Sequence, residues 1–539
     1  MNDNKISVTP DTIYLEDLLI NLNKGVYQIP RFQRNLIWDY SQMRDLLDSI
    51  REGYPIGSLL FWETQANYGQ KSDMGAYPIP PQSNQFFYIL DGVQRISTLF
   101  SILSHPTHLQ REPKDPNLKK FTIFFDIKAN GLTYTRKKGE NPLYYPYLYE
   151  VYDQREIFKI SRKIDRENLG DQGEIYQERL QDLHNALRKY RIPFVLIKGG
   201  DLKSSIQIFS RINSKGTKVS ETAMLSALTY NQEQDFILTD EIHKICQRLK
   251  PYNFDKIKPD TILNCISNFN GKVYFDVKME EIEQRKAELP QLLDQSFIHI
   301  EKAVQFLYEK LHVIDVRLLP YPAQLIFISE YFRLNPNPTV AHLKALEQWF
   351  WITTYGNYFT LYSLSQQRSS YKVFCDFALG NHDNGIYTIN GNLADFTVAK
   401  YPKKLDLTAV RPKALRLFYL RSIIQHPVIP EESIHESYFK GSDKNPANVI
   451  LRLNSEVEAK ISLKPVPQFI QETDLEVLHH HFIDERIQNL CLQDYEANIG
   501  EIRRLRQEIW QAAEQEFVKS LGLTYNLDDY TSESVAENH

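Results

Sequence analysis

The residues best placed to do chemistry fall in the loop Asp91-Gly92-Val93-Gln94-Arg95. It follows the apolar run Phe86 to Leu90, which reads as a short buried strand. It precedes Ile96, Leu99, Phe100 and Leu103, spaced as one helical face that ends before His105-Pro106. A strand turning directly into a helix gathers backbone N–H groups and the positive end of the helix dipole at one point, an arrangement suited to phosphate. Arg95, in the first helical turn, could grip a phosphate with a two-pronged charge-assisted contact; Gln94 could orient a water or a ribose, and Asp91 could hold a metal or a sugar hydroxyl. Gly92, Ser97 and Thr98 complete the nucleotide-binding set expected on this loop and helix. The same residues also read as a plain turn with a surface arginine.

A second cluster runs Tyr27-Gln28-Ile29-Pro30-Arg31-Phe32-Gln33-Arg34, with Trp38 four residues on. Two arginines flanking an aromatic and a glutamine, on a segment stiffened by Pro30, could approach a nucleotide from the side opposite the Asp91 loop. Arg31, Gln33 and Arg34 are therefore candidate nucleotide-binding residues. The alternative is a strand edge with solvated arginines and Trp38 in the core.

Taken together, these segments resemble the N-terminal domain of GmrSD-type restriction systems, within the ParB and sulfiredoxin-like superfamily. The resemblance rests on Ile29-Pro30-Arg31-Phe32-Gln33-Arg34 with Trp38, on Tyr54-Pro55-Ile56-Gly57, and on the stretch from Leu90 through Asp91-Gly92-Val93-Gln94-Arg95 to Leu99. Ile208 to Thr217 resembles the family's phenylalanine, asparagine and glycine turn. What this implies is a nucleoside triphosphatase domain that energises or licenses cleavage of modified, usually phage, DNA. The implied ligands are a nucleoside triphosphate and Mg²⁺. Asp91, Gly92, Gln94 and Arg95 carry over from the family's D-G-Q-Q-R loop, with Asp91, Gln94 and Arg95 as the catalytic set. Gln33 and Arg34 carry over from its I-P-x-x-Q-R element. Val93 departs from the family's first glutamine, which bears on hydrolysis more than on binding, and Arg31 occupies a variable position.

The elements that must position these residues give an α+β expectation. A ParB/sulfiredoxin-like nucleotide-binding domain is expected over 1–230, a mainly helical domain over 231–420, and a small α+β region over 421–539. In the first, Asp39 and Gln42 form a capping pair for a helix carrying Met43, Leu46, Leu47 and Ile50. Gly57 to Trp62, Phe121 to Ile127 and Arg191 to Ile197 read as strands, and Leu202 to Ile212 as a helix. Lys128 to about Glu174, rich in Tyr and charge, reads as an insertion without clear period. A last long helix carries Ile502, Leu505, Ile509 and Ala512 in register.

The C-terminal region resembles the end of an HNH-type nuclease domain through Asn448-Val449-Ile450-Leu451, Asn454, Ile461, Lys464-Pro465 and Gln468-Phe469-Ile470. Such a nuclease needs a histidine base, a residue orienting it and metal ligands close by. His426 and His435 are the only histidines nearby, and neither lies in a paired-histidine element. The expectation is a degenerate HNH-like region kept for DNA contact or assembly, with cutting left to a separate nuclease subunit. Consecutive helical residues point in different directions, which argues against a shared metal at His479-His480-His481.

Bulk composition narrows the classes further. The 539 residues carry a net charge of −5, so any DNA contact is expected to be a local patch rather than a general coating. Arg136-Lys137-Lys138 and Lys400 to Lys404, with Arg411 and Lys413, are either phosphate contacts or solvated faces. The four cysteines are far apart, which fits a reducing cytoplasm, and no signal core or membrane-length apolar run occurs. Partners are expected to be DNA and a separate nuclease subunit, with a homo-oligomer as a further arrangement and no membrane. Three functions compete: a nucleotide-hydrolysing defence enzyme, a nucleotide-gated DNA-binding or sensing protein without turnover, and a self-contained nuclease.

Overall fold

The computed structural model describes residues 6–33, 38–81, 86–104, 119–212, 221–230, 236–268, 279–393, 396–424, 445–450 and 466–525. The chain divides into two compact units, 1–239 and 240–539. Its class is α+β, as expected.

In the first unit the chain runs β1 (Ser7–Tyr14), α1 (Leu15–Asn23), β2 (Tyr27–Gln28), α2 (Tyr40–Arg51), β3 (Leu59–Thr64), a small hairpin β4 (Asp73–Met74) and β5 (Tyr77–Pro78), then β6 (Phe86–Asp91) and α3 (Val93–Leu103). It continues through the hairpin β7 (Phe124–Asp126) and β8 (Gly131–Thr133) to α4 (Leu148–Tyr152), α5 (Gln154–Arg166) and α6 (Asp171–Arg188). It ends with β9 (Arg191–Lys198), α7 (Leu202–Ile212) and α8 (Glu221–Leu228). Five strands form one mixed sheet in the order β1-β9-β3-β6-β2. β2 runs parallel to β6, and β3 antiparallel to it.

Both faces of the sheet are covered, which is why its central strands read as unbroken apolar runs rather than as alternation. Leu59, Phe61 and Ile89 face a core shared with α1, α2 and α3; Leu60, Trp62, Tyr88 and Leu90 face a second core with Phe32, Leu202 and Ile206. The capping pair forms as expected: Asp39 accepts from the Gln42 N–H at 3.0 Å while the Gln42 side chain accepts from the Asp39 N–H, and Met43, Leu46, Leu47 and Ile50 are buried.

The stretch from Lys128 to Glu174 differs from its reading as an aperiodic insertion. It holds β8, α4, α5 and the start of α6. Ile157, Ile160 and Ile164 supply α5 with a buried helical stripe, which the surrounding charges obscure in a linear reading.

The second unit is built mainly of helices, among them Pro259–Asn268, Leu289–Glu309, Pro322–Leu334, Val340–Tyr355, Leu364–Ala378 and Val410–Ile423. Thr397–Val398 pairs in parallel with Thr524–Tyr525. The final helical stretch, Glu485–Ser520, is broken at Asp494, whose extended backbone and side chain cap the second segment through the Ala497 N–H at 3.0 Å.

Candidate functional site

The two motifs of the first unit leave the sheet at the same end. β2 and β6 are parallel neighbours, with Tyr27 opposite Phe87 and Gln28 opposite Tyr88, so the segments that follow Gln28 and Asp91 both emerge beyond carboxyl ends of strands. That edge is where open sheets commonly take ligands. After Gln28 the chain is held by the Lys71 N–H, which donates to the Ile29 carbonyl at 2.9 Å, and turns at Pro30, whose carbonyl accepts from the Gln33 N–H at 3.0 Å. The turn brings the Gln33 side chain back to β6, where its amide donates to the Leu90 carbonyl at 2.8 Å. The two-residue ladder of β2 has ended by then, and Gln33 satisfies a carbonyl that would otherwise lack a strand partner.

Phe32 fixes this turn. It is 4% exposed and meets the rings of Tyr68 and Tyr230 edge-on. Beneath it, the Tyr88 hydroxyl accepts from the Tyr68 N–H at 2.9 Å, and burial pushes that hydroxyl up to about 12, so it stays protonated. Gln28 is fully buried and ties the neighbouring turns together, donating to Gly25 at 2.6 Å and Pro80 at 2.8 Å.

The Asp91 loop is the tight turn the sequence suggests. Gly92 has φ of +93° and caps α3 without a side-chain hydrogen bond. A Cβ there would lie 2.3 Å from a Leu59 methyl, so both conformation and space require glycine. The first-turn N–H groups of α3 thus meet no cap from that side chain, the situation in which a helix end receives an anion.

Arg95 does something the spacing did not reveal. Its guanidinium donates to the Ile56 carbonyl at 2.7 Å, to the Ser58 carbonyl at 3.0 Å and to Asp91 Oδ2 at 3.0 Å. Only 16% of its side chain is exposed. Arg95 therefore clamps the segment between α2 and β3, and Gly57, with φ of +83°, lets that segment pass within reach because a Cβ would sit 2.7 Å from the guanidinium. From another direction the Tyr190 hydroxyl donates to the Tyr54 carbonyl at 2.5 Å. Ser58 and Tyr190 were not singled out by the sequence, and Ile56 entered only as part of the Tyr54-Pro55-Ile56-Gly57 element, with no role assigned to its carbonyl.

Of the remaining expected residues, Ser97 and Thr98 are 1% and 0% exposed, on a side of α3 turned into the protein. Close packing of α3 against the β4–β5 hairpin explains the crowding: Ser101 accepts from the Ala76 N–H at 2.9 Å, and Gly75 leaves no room for a Cβ. Arg31 is half-buried. Gln94 lies in the first turn of α3. Arg34 lies outside the described residues, as do 213–217 of the third motif and both His426 and His435.

Arg136, Lys137, Lys138, Lys400, Lys403 and Lys404 are exposed, while Arg411 and Lys413 are half-buried. Arg136 stacks over Phe124 and Tyr147, and Lys137 lies 3.5 Å from Asp126. In the second unit Arg411 makes a two-pronged contact with the buried Glu514, and Lys413 donates to the Leu319 carbonyl. His481 is buried and shares a 2.6 Å hydrogen bond with Tyr419. Among the described residues no group of three or more His, Cys, Asp or Glu side chains could hold a metal ion. No described helix is long and apolar enough to cross a membrane.

Residues 15–230 match the family described as GmrSD restriction endonuclease, N-terminal domain, and this part of the chain is a domain of that type. All of the elements from α1 to α8 fall within the match. The chain is also similar to an uncharacterized protein of Methanocaldococcus jannaschii, with 23% identity over 259 residues. That similarity covers 42% of this chain and 43% of the relative.

Proposed function

We propose that the first unit binds and hydrolyses a nucleoside triphosphate, and that the protein serves a modification-dependent DNA restriction or anti-phage defence system. The family match supports the setting. The observation that carries the nucleotide reading is the Gln33 to Leu90 hydrogen bond, which joins two motifs 57 positions apart at one strand end, beside the first turn of α3. A triphosphate lying across this edge would present oxygens to the first-turn N–H groups of α3 and to Arg31 of the facing segment. Gln94 would orient the attacking water. Asp91, whose side chain is 35% exposed, is the carboxylate available to Mg²⁺, which commonly takes one or two protein carboxylates and completes its shell with phosphate oxygens and water. Such an ion would neutralise phosphate charge. Arg95 enters as the residue that holds the loop in shape, its donors being shared among two carbonyls and Asp91.

A second reading is favoured by Val93, which is 6% exposed and stands where the D-G-Q-Q-R pattern has its first glutamine. In it, nucleotide is bound and gates DNA contact without turnover. Phosphate release by the purified protein, measured beside nucleotide affinity for each triphosphate with and without modified DNA, separates the two. Gln33→Ala should weaken nucleotide binding about tenfold, on the order of one lost hydrogen bond and a loosened turn. Unchanged affinity in the folded variant would remove the composite site.

A further inference from the structure

The exposed face of α5 carries a feature that the nucleotide site does not use. Arg155, Lys159, Arg162, Lys163 and Arg166 are all exposed. At 3.6 residues per turn they share roughly 100° of the helix circumference. The stripe runs about 16 Å along the axis. Ile157, Ile160 and Ile164 lie on the opposite side and are buried. Asp165 falls outside the stripe, and Glu156, at its margin, pairs with Lys159 at 2.7 Å. Arg155, Lys163 and Arg166 have no carboxylate partner among the described residues. Phe158 is 57% exposed beside the stripe, and Arg162 stacks on its ring at 4.4 Å from the centroid.

We propose that this face of α5 is a docking surface for the phosphate backbone of duplex DNA. In a chain of net charge −5, five cations on one helical face are a local departure from the average, as a polyanion surface on an acidic protein must be. A straight row of cations spaced about one helical turn apart complements a rod carrying one negative charge per about 1.7 Å of axis. The apolar stripe of α5 is spent in the core, which leaves Phe158 as a single exposed apolar side chain rather than a face to insert into a lipid surface. The stripe is made of Lys and Arg alone, which suits phosphate contacts that position DNA without regard to sequence. The surface deepens the reading of a DNA-defence protein, and it stands or falls separately from nucleotide turnover.

The test uses the full chain and a plain 30-base-pair duplex, with affinity read by fluorescence anisotropy across a salt series. The wild type should lose affinity steeply with salt, and the triple variant Arg155→Gln, Arg162→Gln, Arg166→Gln should bind at least tenfold more weakly at low salt, with a log–log slope shallower by about 2 to 3. The triple Arg→Lys variant keeps the charge and should bind like the wild type. A control of equal charge change elsewhere, Lys24→Gln, Lys286→Gln, Lys372→Gln, should leave the slope within about one of the wild type. Equal weakening in control and stripe variants, or none in either, would overturn the proposal; so would a stripe that binds polyglutamate but never duplex. Nucleotide turnover measured in the same variants is expected unchanged, and its absence in the wild type would count against the nucleotide reading alone.

Discussion

The guanidinium of Arg95 and the carbonyl of Ile56, 39 positions apart, are joined by a 2.7 Å hydrogen bond. Through this contact the first turn of α3 holds the entrance to β3, and the Asp91 loop and the Tyr54-Pro55-Ile56-Gly57 element become one structure. Any ligand received at the end of β6 would rest on a loop whose shape depends on that bond.

Arg95→Ala should therefore act on the fold as well as on the ligand. Removing the donor leaves the Ile56 and Ser58 carbonyls and Asp91 without this partner, at a cost of about 2 to 3 kcal/mol. Thermal denaturation should show a lower midpoint even with no nucleotide present. A variant as stable as the wild type that has lost only nucleotide affinity would show that Arg95 is a ligand contact rather than a clamp.

Gly92→Ala combines a left-handed backbone with a collision against Leu59. We expect a loss of about 2 kcal/mol or more in urea denaturation, with roughly half arising from φ alone. In the double variant with Leu59→Ala the collision is relieved, so its loss should be smaller than the sum of the two single losses. Strict additivity would show that space above Gly92 is irrelevant.

His312, in the second unit, sits at φ of +54° in largely buried surroundings. Burial, aided by the charges of Arg421 and Lys310, pushes its imidazole down to about 4. The unfolded chain takes up the proton near pH 6.5 and the folded one only near pH 4, so stability falls as pH drops through that window. The contribution is on the order of 2 to 3 kcal/mol. His312→Asn, which tolerates the left-handed backbone, should flatten the difference in unfolding free energy between pH 7 and pH 4. An unchanged pH profile would place the titration elsewhere.

The purified chain should leave plain duplex DNA intact in Mg²⁺ or Mn²⁺, because phosphodiester cleavage needs several coordinated ligands around an activated water. Agarose electrophoresis of a supercoiled plasmid reads this directly. Nicking that disappears in His435→Ala would make the chain a complete nuclease.

Local rules were enough for several elements specified by their own residues, though not for α5, whose stripe of Ile157, Ile160 and Ile164 is masked by charge. The capping pair of Asp39 and Gln42 and the stripe from Met43 to Ile50 defined α2, Leu202 to Ile212 defined α7, and the break in apolar pattern at Asp91-Gly92 defined the turn into α3. Those signals arise from backbone hydrogen bonding and burial periodicity within a dozen residues, so a linear reading contains them. The pairing of Gln33 with Leu90 and the clamp of Arg95 on Ile56 and Ser58 were decided only when the sheet set β2 and β3 on either side of β6. Side-chain donors reach whichever acceptors the strand order brings near. Strand order depends on non-local packing, for which chain spacing carries no direct record.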